Sequence, residues 1–182
     1  MNTQITRLFS TLVLFTTTLH AGEQPHQHGV ASLQVVVEGN TLVVHLESPL
    51  DNLVGFERTP KTDAERSKIQ RSTQRLRHPA ELLQPTSEAG CSVDKITLAS
   101  DVLDPALLGE SAVWRTLAHQ DKNHAELSTT WRFVCTKPDL LRGLEVKLFD
   151  AFPGLKRLQT QVAGPRGQSR ATLTHSKRKL SW

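Results

Sequence analysis

Two runs of alternating apolar and polar residues flank Gly39-Asn40 and give the clearest structural pattern in the chain. A glycine and an asparagine between such runs are typical of a two-residue β-hairpin turn with positive φ angles. The turn predicts a register in which apolar residues face one another across the two strands: Val37 with Leu42, Val35 with Val44 and Leu33 with Leu46. One face of this hairpin is wholly apolar and should pack on the core, while the other face is largely polar.

A different pattern, Thr62-Asp63-Ala64-Glu65, has the form of a helix capping box with an acidic first turn. The helix that it predicts should run to about Arg77, because His78 precedes Pro79 and the residue before a proline resists the α conformation. We expect a surface helix with a thin apolar stripe and solvated charges. Its basic residues are Arg66, Lys68, Arg71, Arg75 and Arg77.

Shorter alternating runs predict further strands in the second half of the chain, over residues 91–99, 127–135, 144–148, 158–162 and 169–174. With the first hairpin they make about seven short strands. The predicted fold class is therefore α+β, a mainly antiparallel β-sheet with one clear surface helix, and a sandwich is one arrangement open to these strands.

The first 21 residues have the pattern of a secretory signal peptide: Arg7, an apolar run from Leu8 to Leu19, and a small residue at Ala21. We expect cleavage there and a single mature domain over residues 22–182. Later parts of the chain contain no apolar run of about 20 residues, so a membrane-spanning helix is not expected.

The chain contains two cysteines, Cys91 and Cys135, and an even number in an exported protein favours a disulfide. This bond would join two of the predicted strands, with the intervening loop emerging between them. Without residues 1–21 the chain has 21 Lys plus Arg against 18 Asp plus Glu, a mildly basic balance. A basic helix in an exported protein does not indicate nucleic-acid binding.

Histidine and carboxylate residues are the candidates for chemistry. His26 and His28 are two residues apart, so in an extended segment both imidazoles point to the same side. Zinc accepts imidazole and carboxylate ligands, and a site needs three or four of them. The segment between the two cysteine-bearing strands offers the others, so the predicted metal site draws on His26, His28, His119, His124, Asp121 and Glu126.

Enzymatic motifs are absent from the sequence. It contains no Gly-x-Ser-x-Gly elbow, no phosphate-binding glycine loop and no His-Glu-x-x-His motif. Paired cysteines would not supply a thiol nucleophile. We therefore expect a protein that is not an enzyme.

Several motifs spread over nearly the whole mature chain resemble those of the ZrgA family of zinc-regulated periplasmic proteins, a domain otherwise described as of unknown function. They are His26-Gln27-His28-Gly29-Val30-Ala31, Ser48-Pro49 with Asn52-Leu53-Val54-Gly55-Phe56-Glu57, Pro60 with Thr62, Cys91, Phe133-Val134-Cys135, Leu148-Phe149 with Phe152-Pro153-Gly154-Leu155, and Leu180-Ser181-Trp182.

The resemblance implies a part in zinc acquisition in the periplasm of a Gram-negative bacterium, alongside a zinc importer or its periplasmic binding protein. Members often carry a dense His/Asp/Glu tract between the two cysteine-bearing strands. This chain keeps only His119, Asp121, His124 and Glu126 there. We therefore expect one weak, exchangeable zinc site and not a zinc store.

The alternative is a metal-independent structural or interaction module. In this hypothesis the basic helix and the tail residues Lys177, Arg178 and Lys179 contact an anionic envelope surface or an acidic partner. Such contacts between exposed charges weaken steeply with salt, which distinguishes them from metal binding.

Overall fold

The computed structural model of the chain describes residues 27–111 and 125–182, and these residues form nine β-strands and five α-helices. The strands are β1 (Val30–Glu38), β2 (Thr41–Pro49), β3 (Leu83–Pro85), β4 (Cys91–Ala99), β5 (Glu126–Cys135), β6 (Gly143–Val146), β7 (Arg157–Gly164), β8 (Gly167–Thr174) and β9 (Lys179–Ser181). The helices are α1 (Leu50–Val54), α2 (Asp63–Leu76), α3 (Pro79–Leu82), α4 (Pro105–Leu108) and α5 (Leu148–Ala151). The predicted signal peptide lies outside the described residues.

The strands form a six-stranded sheet in the order β4-β5-β2-β1-β7-β8 and a three-stranded sheet in the order β3-β6-β9. This confirms the predicted α+β class with a mainly antiparallel sheet. Two of the nine strands, β3 and β9, were not predicted, because three residues are too few to show alternation. The pair β1 and β7 is parallel, which the sequence pattern did not indicate. Every helix within the described ranges is too short or too polar to span a bilayer.

The hairpin register is the predicted one: Val37 pairs with Leu42, Val35 with Val44 and Leu33 with Leu46. The turn itself differs in one respect. Gly39 has a φ of +55°, but positive φ among the described residues is confined to glycines, so Asn40 does not share it. A positive φ at the first central residue alone is the pattern of a type II′ turn, which suits the twist of a hairpin as well as type I′ does.

The apolar face of the hairpin lies at the centre of the core, as predicted. Val44 of β2 is fully buried, and its partner on β5 is Trp131, which is also fully buried. The indole Nε1 of Trp131 donates to the carbonyl of Leu76 at 2.7 Å. Because Leu76 ends α2, this bond satisfies one of the carbonyls that a helix end leaves unpaired. It therefore fixes α2 over the apolar face of the larger sheet.

Helix α2 begins with the predicted capping box. The N–H of Glu65 donates to Thr62 Oγ1 at 3.2 Å, and the N–H of Thr62 donates to the Glu65 carboxylate at 3.3 Å. The helix ends one residue before the predicted end. Its basic residues are less uniformly solvated than predicted, because Arg77 is half-buried and forms an ion pair with Glu110 at 2.6 Å.

The disulfide prediction is confirmed. Cys91 and Cys135 face each other across β4 and β5, with Cα atoms 3.8 Å apart, and their sulfurs are bonded. The segment between these strands leaves β4 after Ala99 and returns at Glu126. It therefore starts at the opposite end of β4 from the disulfide, roughly 26 Å away at about 3.3 Å per residue.

We predict that loss of the disulfide destabilises the fold. Replacing Cys91 and Cys135 by serine should lower the free energy of unfolding by about 2–4 kcal/mol, since closing a loop of this size contributes at most about 4 kcal/mol on the chain-entropy model. Equilibrium urea unfolding of the two chains measures the difference. Reductant should destabilise the wild-type chain by a similar amount and leave the double variant unchanged; equal stability of the two chains would contradict the prediction.

A second prediction concerns Glu65, whose pKa is lowered to about 2, first by its hydrogen bond from Arg58 and then by the N–H groups of Lys61 and Thr62. Because the folded-state pKa lies below the ordinary value of 4.5, the stabilising contribution is present above that value and is lost as pH falls toward about 2. Glu65→Gln should therefore show a smaller loss of stability between about pH 5 and about pH 2. Urea unfolding at the two pH values tests this, with Glu81→Gln as the control that should behave like wild type.

Candidate functional site

One end of the larger sheet brings together segments that are far apart in the chain. β1 and β7 start at this end, since Val30 is opposite Arg157 in the parallel pair. β2 ends and β5 starts there, since Pro49 is opposite Glu126. The N–H of Leu50 donates to the carbonyl of Ala125 at 2.8 Å, which adds the residue just before β5. We call this end, which is opposite the disulfide, the site end; it comprises the start of β1, the end of β2, the start of β5 and the start of β7.

Asn52 of α1 holds the site end together through its buried carboxamide. Its Oδ1 accepts from the N–H of Gly29 at 2.6 Å. Its Nδ2 donates to the carbonyl of Val30 at 2.9 Å and to Ser48 Oγ at 3.2 Å. The turn that precedes β1 is therefore bonded to the segment that follows β2, and both ends of the carboxamide are satisfied.

Two glycines allow this close approach. Gly29 has a φ of +80°, a left-handed conformation that a side chain disfavours, and its carbonyl accepts from the N–H groups of Lys156 and Arg157. At Gly154, a Cβ atom would lie 2.5 Å from the backbone oxygen of Asn52. The motifs His28-Gly29, Asn52 to Glu57 and Phe152 to Leu155 are thus packed against one another.

His28 occupies the exposed tip of this arrangement, with 72% of its side chain accessible. Its Nδ1 lies 3.1 Å from Oδ2 of Asp51 and 3.8 Å from Oε1 of Glu57. The first distance is a hydrogen bond, whereas the second is a charge contact without one. One imidazole and two carboxylates therefore meet at the site end.

Asp51 and Glu57 were missed by the sequence-based prediction of the site. A signal for them was present: the hairpin register places the start of β1 beside the end of β2, so the residues after Pro49 must lie near His28. They were overlooked because they are 23 and 29 residues from His28 in the sequence, far beyond the spacing of a short ligand motif.

The other predicted site residues are only partly placed. Glu126 is the first residue of β5, opposite Pro49, and so lies at the site end. His26, His119, Asp121 and His124 lie outside the described residues. Across residues 27–111 and 125–182, no group of three or more His, Cys, Asp or Glu side chains is arranged so that it could hold a metal ion by itself, and this includes His28 with Asp51 and Glu57.

Two other histidines have structural contacts away from the site end. His45 Nδ1 is 2.8 Å from Thr130 Oγ1, on the face of the sheet opposite the core. His175 is 3.2 Å from Asp150, whose pKa is lowered mainly by its hydrogen bond from Arg178. The latter contact joins the segment between β8 and β9 to α5.

His28, Asp51 and Glu57 are of the residue types that bind divalent cations. An imidazole can provide a nitrogen ligand for zinc, and the two carboxylates add negative charge beside it. The site is open to solvent, so a metal ion bound here would enter and leave without opening of the core.

Residues 25–182 match the family model described as ZrgA family zinc uptake protein. The match spans all of the described residues, including both cysteines and the whole site end. A comparison with curated proteins gives no match.

We predict that Asn52→Ala destabilises the protein by about 2 kcal/mol or more, because it leaves the buried N–H of Gly29 without a partner and removes the bond to Val30. Urea unfolding measures the change. Asn40→Ala, the same substitution at an exposed turn position, is the matched control and should cost much less. Equal losses in the two variants would show that the carboxamide bonds of Asn52 do not hold the site end together.

Proposed function

Because the chain belongs to the ZrgA family of zinc uptake proteins, we propose that it is a non-enzymatic periplasmic protein that binds zinc and assists its uptake. The family description supports a role in zinc uptake. The accessory role, the periplasmic location and the residues that bind the ion are the further content of the proposal.

The observation that carries the proposal is the meeting of His28, Asp51 and Glu57 at the exposed site end. Negative charge from two carboxylates raises the local concentration of divalent cations. The imidazole adds a nitrogen ligand, which suits zinc better than it suits magnesium or calcium. The backbone of the turn that carries His28 is bonded to Asn52, which supports a defined position for this turn.

The remaining ligands in this proposal come from segments that join the site end through the covalent chain. His26 is adjacent to Gln27, whose carbonyl accepts from the N–H of Val30. His124 is adjacent to Ala125, whose carbonyl accepts from Leu50. We therefore retain the set predicted from the sequence, His26, His28, His119 and His124, with Asp121 and Glu126 as carboxylate candidates.

An open site of this kind suits zinc as cargo. A structural zinc ion is enclosed by four protein ligands, whereas an exposed one exchanges readily. We propose a single weak, exchangeable site from which zinc passes to an importer or to its periplasmic binding protein. The Cys91–Cys135 disulfide supports export, because disulfides persist in oxidising compartments such as the bacterial periplasm.

The alternative function, binding of an anionic envelope surface or an acidic partner by the basic helix and tail, has less support. Carboxylates offset many of the cations it would use. The ion pairs are Arg66 with Asp63, Arg77 with Glu110, Arg178 with Asp150, and Lys179 with Glu145. A salt-sensitive interaction with anionic vesicles that does not depend on zinc would favour the alternative.

We predict saturable zinc binding by the mature chain at neutral pH, measured by isothermal titration calorimetry. Replacing His26, His28, His119 and His124 by alanine should weaken it by more than the roughly 10–100-fold that loss of an outer-shell partner costs, because the four substitutions remove ligands. The matched control replaces histidines elsewhere by alanine, at positions 45, 78 and 175, and should retain wild-type affinity.

Circular dichroism of each variant verifies that the fold is intact. Absence of saturable binding by the wild-type chain, or equal binding by the variant with four substitutions, would show that the proposed site does not exist.

A further inference from the structure

The contact between His28 and Asp51 bears on which tautomer the neutral ring of His28 adopts. A carboxylate accepts hydrogen bonds and donates none, so the 3.1 Å contact between Asp51 Oδ2 and His28 Nδ1 requires the proton to be on Nδ1. The carboxylate of Glu57, 3.8 Å from the same nitrogen, favours the proton at the same position.

This assignment determines where the ring can bind a metal ion. In a neutral imidazole that carries its proton on Nδ1, the free lone pair is on Nε2. Within the described residues, the contacts of His28 are made by Nδ1, and 72% of the side chain is accessible to solvent. Nε2 is therefore the nitrogen available to an ion from solution.

We propose that Asp51 is a positioning residue for zinc: it holds His28 with Nδ1 protonated, so that Nε2 binds the ion and Asp51 remains in the outer coordination shell. The inference rests on the proposed zinc-binding function and specifies how one ligand is prepared. A carboxylate behind a metal-binding histidine fixes the ring orientation and makes the ligand nitrogen more basic.

Asp51 is well placed for this role because the short helix that carries it is anchored on both sides. Leu50, Leu53 and Val54 are buried, and Ser72 Oγ donates to the carbonyl of Leu53 at 3.1 Å. Such support is what allows a second-shell group to keep its ligand aligned.

Asp51 and Asn52 are adjacent in α1, and each contacts one residue of the turn that precedes β1. Asn52 fixes the backbone of Gly29, and Asp51 fixes the side chain of His28. The ligand is thereby held at its backbone and at its ring. Glu57 is too far from Nδ1 for a hydrogen bond, so its contribution is charge alone.

The first test reads the tautomer of His28 directly and does not require zinc. Two-bond ¹H–¹⁵N correlation spectra of ¹⁵N-histidine-labelled protein, recorded at a pH where the ring is neutral, distinguish a proton on Nδ1 from one on Nε2. We expect Nδ1–H in the wild-type chain and a mixture in Asp51→Asn, because the amide can donate as well as accept. The matched control Asp139→Asn should give the wild-type spectrum. A wild-type ring that is mainly Nε2–H would overturn the proposal.

The second test adds zinc to the same samples. We expect the ion on Nε2 with the proton retained on Nδ1, and an affinity reduced roughly 10–100-fold in Asp51→Asn but unchanged in Asp139→Asn. Zinc on Nδ1, or an unchanged affinity in Asp51→Asn, would overturn the proposal. Thermal unfolding of both variants excludes loss of the fold as the cause of weaker binding.

The two tests separate this inference from the proposed function. If the wild-type chain binds zinc while the signals of His28 do not change, zinc binding stands and the role of Asp51 is wrong. If the ring is Nδ1–H and the wild-type chain binds no zinc, the proposed zinc binding is wrong and so is the role of Asp51 in it. The hydrogen bond to Asp51 then has only a structural role.

Discussion

The buried carboxamide of Asn52 is the interaction on which the rest of the site end depends. It accepts from the N–H of Gly29 and donates to the carbonyl of Val30 and to the hydroxyl of Ser48, and so joins the entry to β1 with the exit from β2. Satisfying a buried amide at both ends is a strict geometric requirement, since an unpaired group would cost free energy. The close approach of Gly154 follows from the same packing, because a side chain there would strike the backbone of Asn52.

The two ends of the larger sheet carry different residues. The disulfide and the Gly39-Asn40 turn lie at one end, where the N–H of Cys135 donates to the carbonyl of Asn40. His28 and its carboxylates lie at the other. Between the two ends, one face of the sheet carries the buried apolar residues of the core. Among them is Trp131, whose indole N–H donates to the carbonyl of Leu76 at the end of α2. The proposed zinc binding at this exposed end would therefore not require the core to open.

The local elements of this fold were predictable from the sequence alone. The hairpin register follows from the alternation around Gly39-Asn40, and the start of α2 follows from the capping box, because both patterns involve residues that are close in the chain. The disulfide was predictable since the chain has only Cys91 and Cys135. His28 was recognised as a candidate ligand, but its carboxylate neighbours were not.

The sequence by itself determined seven of the nine described strands, the longest helix α2, and which residue types could bind a metal ion. Only the tertiary structure decided that β1 pairs in parallel with β7, that Gly154 packs against Asn52, and which hydrogen bonds Asp51 and Asn52 make with the turn of His28. The physical reason is that strand order is set by backbone hydrogen-bonding groups common to all residues and by the fit of the whole core. Gly154, which precedes β7, therefore becomes a neighbour of Asn52 through the pairing of β7 with β1.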